Sequence, residues 1–452
     1  MKLKAILRIA LSAIILTTAV PYEPASASAA DSTMRDMTTM EIVTDMGIGI
    51  NLGNTFESCG DWITQWGDGT PNAYETAWGS PTVTKELIQG YADAGFGVVR
   101  VPVAWSNMMA DDGSYTIHPD YMARVQEVVD WILEEDLYVI LNLHWDSGWL
   151  EKLPENPDMC MEKYTVIWEQ ITEEFKDYGD HLMFESQNEE LGWDSLWNRY
   201  SSSTNGKAES YGYANEINQK FVDIVRASGG NNAERHLLIS GYDTDITLTC
   251  DPLFEMPDDP ANRCAVSVHY YTPAGFALLE EDADWGKALS TWGTEADYQE
   301  LNRLMDTLDA RYASQGIPVI IGEYGCPTKN KEPESVRRFL TSVCEAALSR
   351  GGMCPVLWDI TDLHYNRTTY KMTDSLLNEQ LLAVRDKYLP QDEDVRGDVN
   401  GDGAFSVTDI VMLQKWLLCA DDITDWQAGD FCGDGRLDAF DLCIMKRELL
   451  QR

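Results

Sequence analysis

Pro318-Val319-Ile320-Ile321-Gly322-Glu323-Tyr324-Gly325 is a short β-branched run that stops on a carboxylate. A continuous apolar stretch of this length, bounded by Pro and Gly, reads as a strand buried on both faces. Seven other segments share the layout, giving expected strands at 47–51, 97–102, 138–143, 182–186, 236–240, 265–268, 318–322 and 354–358. Longer amphipathic stretches lie between them. In 119–136, for example, Tyr121, Val125, Val128, Val129 and Ile132 follow the 3.6-residue period of a helix.

Strands that alternate with helices imply a parallel sheet. Eight such units fit an α/β fold of the (β/α)8 TIM barrel type, in which functional residues gather at the carboxyl ends of the strands; a doubly wound open sheet is the competing arrangement. The polar residues favour the barrel. Asn51, Arg100, His144, Asn188, Glu189, His269, Glu323 and Trp358 each fall at or just past an apolar run. In a closed ring those positions would share one opening.

The 452 residues are 44% hydrophobic and 24% charged, close to the soluble globular average. Against 34 Lys and Arg stand 75 Asp and Glu, for a net charge of −41. Such a surface repels a phosphate backbone and an anionic membrane, so nucleic acid is excluded as a partner. The 15 Trp and 20 Tyr suit a neutral ligand that ring faces can stack on, with sugars the leading candidate.

Lys2, Lys4 and Arg8 precede an apolar run at 9–20, followed by small-residue cleavage sites around Ala27 and Ala29. This reads as a secretory leader over 1–29 and predicts an exported protein without membrane insertion. The ten cysteines are scattered and form no CxxC pair, which argues against zinc in that arrangement. Cys250 and Cys264 could close a loop, although pairing is not fixed by sequence.

The barrel pattern, expected over 31–389, gives way to an acidic linker at 390–396 and a different segment at 397–452. That segment contains a duplication. Asp398-Val399-Asn400-Gly401-Asp402-Gly403, ending at Asp409, recurs as Asp430-Phe431-Cys432-Gly433-Asp434-Gly435, ending at Asp441, with an apolar helix after each. The D-x-N-x-D-G spacing supplies hard oxygen ligands and predicts calcium, held by Asp398, Asn400, Asp402, the Ala404 carbonyl and Asp409, with Ser406 nearby. The second loop offers Asp430, Asp434, Asp438 and Asp441, but Cys432 stands where an oxygen ligand is wanted, predicting a weaker second site.

Glu189 and Glu323 would face one cavity from the fourth and seventh strands. Cleavage of a glycosidic bond needs such a pair, one carboxyl protonated to serve the leaving oxygen and one ionised to attack or to activate water. Arg100 would keep a neighbouring carboxylate ionised, Asn188 would bond a sugar 2-hydroxyl, and Tyr271 would donate to the nucleophile. His144 and His269 would act as neutral imidazoles, and Trp358 would form a stacking floor. Trp62, Trp66, Trp78, Trp149, Trp193, Trp197, Trp285 and Trp292 fall in expected loops, where some would extend the sugar-binding surface and others pack inside.

Seven segments together resemble the endoglucanases of glycoside hydrolase family five. They are Asn51-Leu52-Gly53-Asn54, Arg100-Val101-Pro102, Asn142-Leu143-His144, Asn188-Glu189, His269-Tyr270-Tyr271, Ile321-Gly322-Glu323-Tyr324-Gly325 and Trp358. The resemblance implies a retaining mechanism on β-1,4-glucans, with Glu189 as acid/base, Glu323 as nucleophile and no catalytic cofactor. One departure is Glu190, where the family usually has Pro; it leaves the turn freer and adds a third carboxylate. A mannanase or xyloglucanase on the same barrel is the alternative, and an inactive glucan-binding subunit the alternative of another class. The tandem loops resemble the type I dockerin of cellulosomal enzymes, a small all-α module of paired EF-hand-like loop-helix units. That implies a cohesin partner on a scaffold protein and an anaerobic bacterial source. The cohesin-reading loop positions would be Val407-Thr408 and Ala439-Phe440, and their difference argues against interchangeable binding faces.

Overall fold

The computed structural model describes residues 32–189, 196–389, 396–401, 404–420, 423–433 and 435–450. The expected leader, Glu190, Trp193, nearly all of the linker, Asp402 and Asp434 lie outside the described residues.

Eight parallel strands close in chain order: β1 (Gly49–Asn51), β2 (Val98–Val101), β3 (Tyr138–Asn142), β4 (Leu182–Glu185), β5 (Leu237–Asp245), β6 (Cys264–Tyr270), β7 (Val319–Tyr324) and β8 (Met353–Leu357). β8 pairs back onto β1, so the sheet is a barrel and the open doubly wound alternative is ruled out. The connecting helices carry the expected pattern. Pro119–Glu134 starts with Pro in its first turn, where the missing N–H costs nothing, and buries Tyr121, Val125, Val128, Val129 and Ile132 against the sheet. Among the described residues, no helix is long and apolar enough to cross a membrane.

Strand periodicity explains the division between core and site. Side chains two positions apart point the same way, one layer further along the barrel axis. The lower interior layer is apolar: Val98, Ile140, Met183, Leu238, Ala265 and Ile320 pack together with Ile42, Val43 and Met46. Those last three come from the helix Thr39–Asp45 and the residue after it, which plug the amino-terminal end; Thr38 and Glu41 close that helix with a reciprocal capping box. Two residues further along the same strands stand Arg100, Asn142, Glu185, Ser240, Ser267 and Gly322. The interior thus changes from hydrocarbon to a hydrogen-bonded polar layer just below the mouth.

Three strand pairs shift register near that mouth, β5/β6 between Ser240 and Asp245, β6/β7 between Val268 and His269, and β7/β8 between Ile321 and Tyr324. Bulges re-aim side chains, and here the shift sets His269 opposite Glu323. Gly322 leaves room for this: a Cβ on it would stand 3.1 Å from Ser267 Oγ and 3.3 Å from His269 Nε2.

The carboxy-terminal segment has its own small core of Val399, Phe405, Ile410, Leu413, Phe431 and Met445. Its two longer helices among the described residues, Val407–Leu417 and Ala439–Leu449, are both started by a capping box, from Ser406 with Asp409 and from Asp438 with Asp441. The ten cysteines are free thiols. Cys250 and Cys264 do not pair: Cys264 Sγ donates to Asp259 Oδ2 at 3.4 Å and Cys250 Sγ to the Thr307 carbonyl at 3.9 Å.

Candidate active site

Arg100 is the hub of the polar layer. Fully buried, it donates from Nε to Glu185 Oε2 (2.7 Å), from Nη1 to Glu323 Oε1 (2.8 Å) and Asn51 Oδ1 (3.0 Å), and from Nη2 to Asn188 Oδ1 (3.0 Å). A buried guanidinium needs compensating charge, and here two carboxylates share it. Glu185 is equally buried and also accepts from Asn142 (3.0 Å) and Ser267 (2.7 Å). It has no access to a ligand. Its part is to hold Arg100.

Glu323, its side chain 7% exposed, takes a second strong bond from the Tyr271 hydroxyl at 2.9 Å. Burial together with the neighbouring carboxylates keeps that phenol far above its usual range, so it stays a donor. Glu189 stands across the opening with its side chain 45% exposed, just past β4. Its Oε1 is 2.5 Å from His269 Nδ1 and 3.4 Å from the Thr244 hydroxyl. The same His269 nitrogen is 3.6 Å from Glu323 Oε2. One oxygen of each glutamate and a ring nitrogen of His269 all lie within 4.8 Å of one another.

This proximity sets the protonation of the group. Burial would lower His269, but the charge of Glu323 and the bond and charge of Glu189 outweigh it, and the imidazole is raised above its ordinary value. This direction runs against the expected neutral His269, because two carboxylates face one ring. Burial acts to raise Glu189, yet the His269 bond prevails and leaves that carboxyl below its ordinary range. Glu323 is raised, by burial first, against the opposing pull of His269 and Arg100. His144 behaves as expected: burial first, then the charge of Arg100, drive it well down, so it is neutral.

Trp358 follows β8 and lies parallel to the His144 ring, planes 7° apart and centroids 6.1 Å apart. Gly53 permits this placement, since a Cβ there would come 2.5 Å from the Asp359 carbonyl and 3.1 Å from the indole. Behind this wall Arg367 donates to Thr55 (3.0 Å), Ser80 (3.1 Å) and the Asp359 carbonyl (3.1 Å), tying the loop after β1 to the loop after β8.

The cleft above these residues has a volume of about 730 Å³ and is lined by Glu189, Glu323, His269, Tyr271, Trp358, Asp243, Tyr200 and Trp285 among others. That is ample for a small ligand segment. The structure brings together Arg100, Asn188, Glu189, His269, Tyr271 and Glu323 through direct bonds, and sets His144 and Trp358 beside them as one stacked wall. Of the loop tryptophans, Trp62, Trp66, Trp78 and Trp285 are exposed, whereas Trp149, Trp197 and Trp292 pack inside. Trp145 and Tyr200 are exposed aromatics that the sequence reading did not single out. Nor did it assign Glu185 its place as the second counter-ion of Arg100; the signal was the period of two from Met183, which turns Glu185 inward. Asp243, pushed up to about 7 by burial despite its ion pair with Arg199, was also missed.

A parallel barrel with two carboxylates facing each other across its mouth beside a stacking indole has the architecture of a glycoside hydrolase. The sequence profile described as Cellulase (glycosyl hydrolase family 5) matches residues 63–363, and that of the dockerin type I domain matches residues 396–450. The chain belongs to glycosyl hydrolase family 5 and carries a dockerin domain at its carboxyl end. Endoglucanase A of Ruminococcus albus is 37% identical over 330 residues, covering 72% of this chain and 85% of that protein. The xyloglucan-specific endo-beta-1,4-glucanase of Bacteroides ovatus is 35% identical over 355 residues, 74% of this chain and 68% of that one. Among solved structures, a GH5-4 broad specificity endoglucanase from an uncultured bovine rumen ciliate is 36% identical with a TM-score of 0.69, covering 78% of this chain and 99% of that chain.

Proposed function

We propose that this family 5 glycoside hydrolase is a cellulosomal endo-β-1,4-glucanase that cleaves with retention, Glu323 attacking and Glu189 serving as acid and then base. The observation that carries the assignment is the separation of the two carboxylates. Retaining enzymes hold their pair about 5–5.5 Å apart, inverting ones roughly 6.5–9.5 Å. One oxygen of each lies within 4.8 Å of the other, a spacing close to that of the retaining arrangement.

The steps follow from the contacts. Arg100 and Tyr271 hold Glu323 with its free electron pair toward the sugar, and Asn188, its oxygen engaged by Arg100, keeps its amide N–H for the 2-hydroxyl. Glu323 forms a bond to the anomeric carbon as the glycosidic C–O bond breaks, and the departing oxygen takes a proton from Glu189. With His269 raised and Glu189 lowered, the balance of that shared proton leans toward His269 Nδ1. An imidazolium–carboxylate pair and an imidazole–carboxylic acid pair contain the same number of protons, so a sugar that strips water from Glu189 favours the neutral form and moves the proton across a 2.5 Å contact. Water then attacks the glycosyl ester, Glu189 takes its proton, and Glu323 leaves. Trp358 stacks against the ring face.

By the same reading residues 1–29 direct export, 31–389 form the catalytic unit and 397–452 dock to a cohesin on a scaffold protein, with 390–396 between them. Calcium suits the donor set of the first loop: Asp398 and Asp409 carry hard oxygens and are anchored by the N–H groups of Gly401 (2.7 Å) and Asn400 (3.3 Å). It would order the loop that the cohesin reads, and it has no part in hydrolysis. Xyloglucan is a second substrate candidate, supported by the relative named for it.

Anomeric NMR of products from carboxymethylcellulose, mannan and xyloglucan tests the proposal. β-Configured products from the glucans support it. α-Configured products would overturn the roles, and binding without scission would favour an inactive glucan-binding subunit.

A further inference from the structure

The two loops of the dockerin share one backbone scaffold but differ in donor chemistry. In the first, Asn400 N–H donates to Asp409 Oδ1 (3.3 Å), Gly401 N–H to Asp398 Oδ1 (2.7 Å) and Ser406 N–H to Asp409 Oδ2 (2.7 Å). Each bond has its counterpart in the second: Cys432 N–H to Asp441 Oδ1 (3.0 Å), Gly433 N–H to Asp430 Oδ1 (2.7 Å) and Asp438 N–H to Asp441 Oδ2 (2.8 Å). The second loop is therefore folded like a cation loop. At its third position, however, an amide oxygen has been replaced by a thiol.

That thiol is exposed and turned toward Asp430. Cys432 Sγ is 3.7 Å from Asp430 Oδ1, and ligand atoms of Asp430, Cys432 and Asp441 all lie within 4.8 Å of one another. Zinc bonds sulfur at about 2.3 Å and carboxylate oxygen at about 2.0–2.2 Å in a tetrahedron, which places neighbouring ligands roughly 3.6 Å apart. The Cys432–Asp430 separation already matches that edge. Calcium instead seeks six to eight oxygens and gains little from sulfur.

We propose that the second loop is a site for a zinc-class divalent cation, held by Asp430, Cys432 thiolate and Asp441, while the first loop keeps calcium. The inference rests on reading the segment as a cation-binding dockerin. Binding deprotonates the thiol, with the proton released to solvent, so affinity rises with pH. The two loops then answer to different ions.

The test uses the full chain with cadmium as the probe, because a cadmium–thiolate bond gives a sulfur-to-metal charge-transfer absorption that carboxylates do not. One equivalent of cadmium should produce the band in the parent protein and in Cys443→Ser, and no band should appear in Cys432→Asn. In parallel, calorimetry should find one strong calcium equivalent in the parent and two in Cys432→Asn, the second tightened at least about tenfold. A band that survives in Cys432→Asn or vanishes in Cys443→Ser would assign the metal to another cysteine and overturn the proposal. So would two calcium sites of matched affinity in the parent. If neither protein binds calcium, the calcium reading of the module fails, while the cadmium band still decides the thiolate site separately.

Discussion

Glu185→Gln separates charge from shape at the centre of the barrel. The amide can keep the carboxylate's contacts: its oxygen accepts from Arg100 and Asn142 where Oε2 now does, at 2.7 and 3.0 Å, and its NH2 donates to a turned Ser267 hydroxyl. Only the negative charge is lost. Opposite charges about 4 Å apart attract by about 4 kcal/mol at an effective dielectric of 20. Breaking a buried pair costs about 3–5 kcal/mol when the remaining charge is stranded. Here Glu323 still compensates Arg100, so a stability loss of about 2–4 kcal/mol is expected, read as a lower urea midpoint at unchanged slope. The effect on activity has a definite sign. With Arg100 no longer shared and a nearby negative charge removed, Glu323 stays ionised to lower pH. The acid limb of kcat/KM should move down by about one unit, with the rate at the optimum reduced less than about tenfold. Unchanged stability together with an unmoved limb would refute the counter-ion argument. Abolished turnover in a folded variant would mean that Glu185 itself takes part in the chemistry.

Glu189→Gln and Glu323→Gln should each remove at least about 99.9% of turnover on natural glucan while cellulose binding and the melting temperature stay near parental; normal hydrolysis by either would contradict its role. The parent should show a bell-shaped kcat/KM profile. Activity is lost as pH falls through the raised value of Glu323 and again as pH rises through the proton shared by Glu189 and His269, the latter above the ordinary histidine range. His269→Asn should pull the basic limb downward, and an unmoved basic limb would show that the proton is stored elsewhere. Chelation of calcium should abolish cohesin capture in a pull-down yet leave reducing-sugar release unchanged; loss of both would place a required cation in the barrel.

The strands were legible because β-branched runs between turn residues leave no other element, and the polar residues because a closed parallel barrel collects whatever stands at its strand ends. Arg100, Glu189, Tyr271 and Glu323 were all identifiable in this way. The details that tune them were not. His269 faces Glu323 only because β6 and β7 slip against each other after Val268, and such a slip arises from hydrogen bonds between distant segments. Glu185 looked like the end of an apolar run, and its value as a counter-ion depends on Arg100 reaching across the interior from β2. Trp149 and Trp197 resembled Trp62 and Trp66 as loop aromatics. Whether such a ring meets a helix or open water is decided by packing between elements, which periodicity within one element does not encode.

A glucan bearing fluorine at the 2-position and a good leaving group slows release of the glycosyl ester, so the covalent species can be weighed. On incubation with the full chain, the mass should rise by one glycosyl unit and peptide mapping should locate it on Glu323, with no adduct in Glu323→Gln. An adduct on any other residue, or steady hydrolysis without one, would contradict attack by this carboxylate.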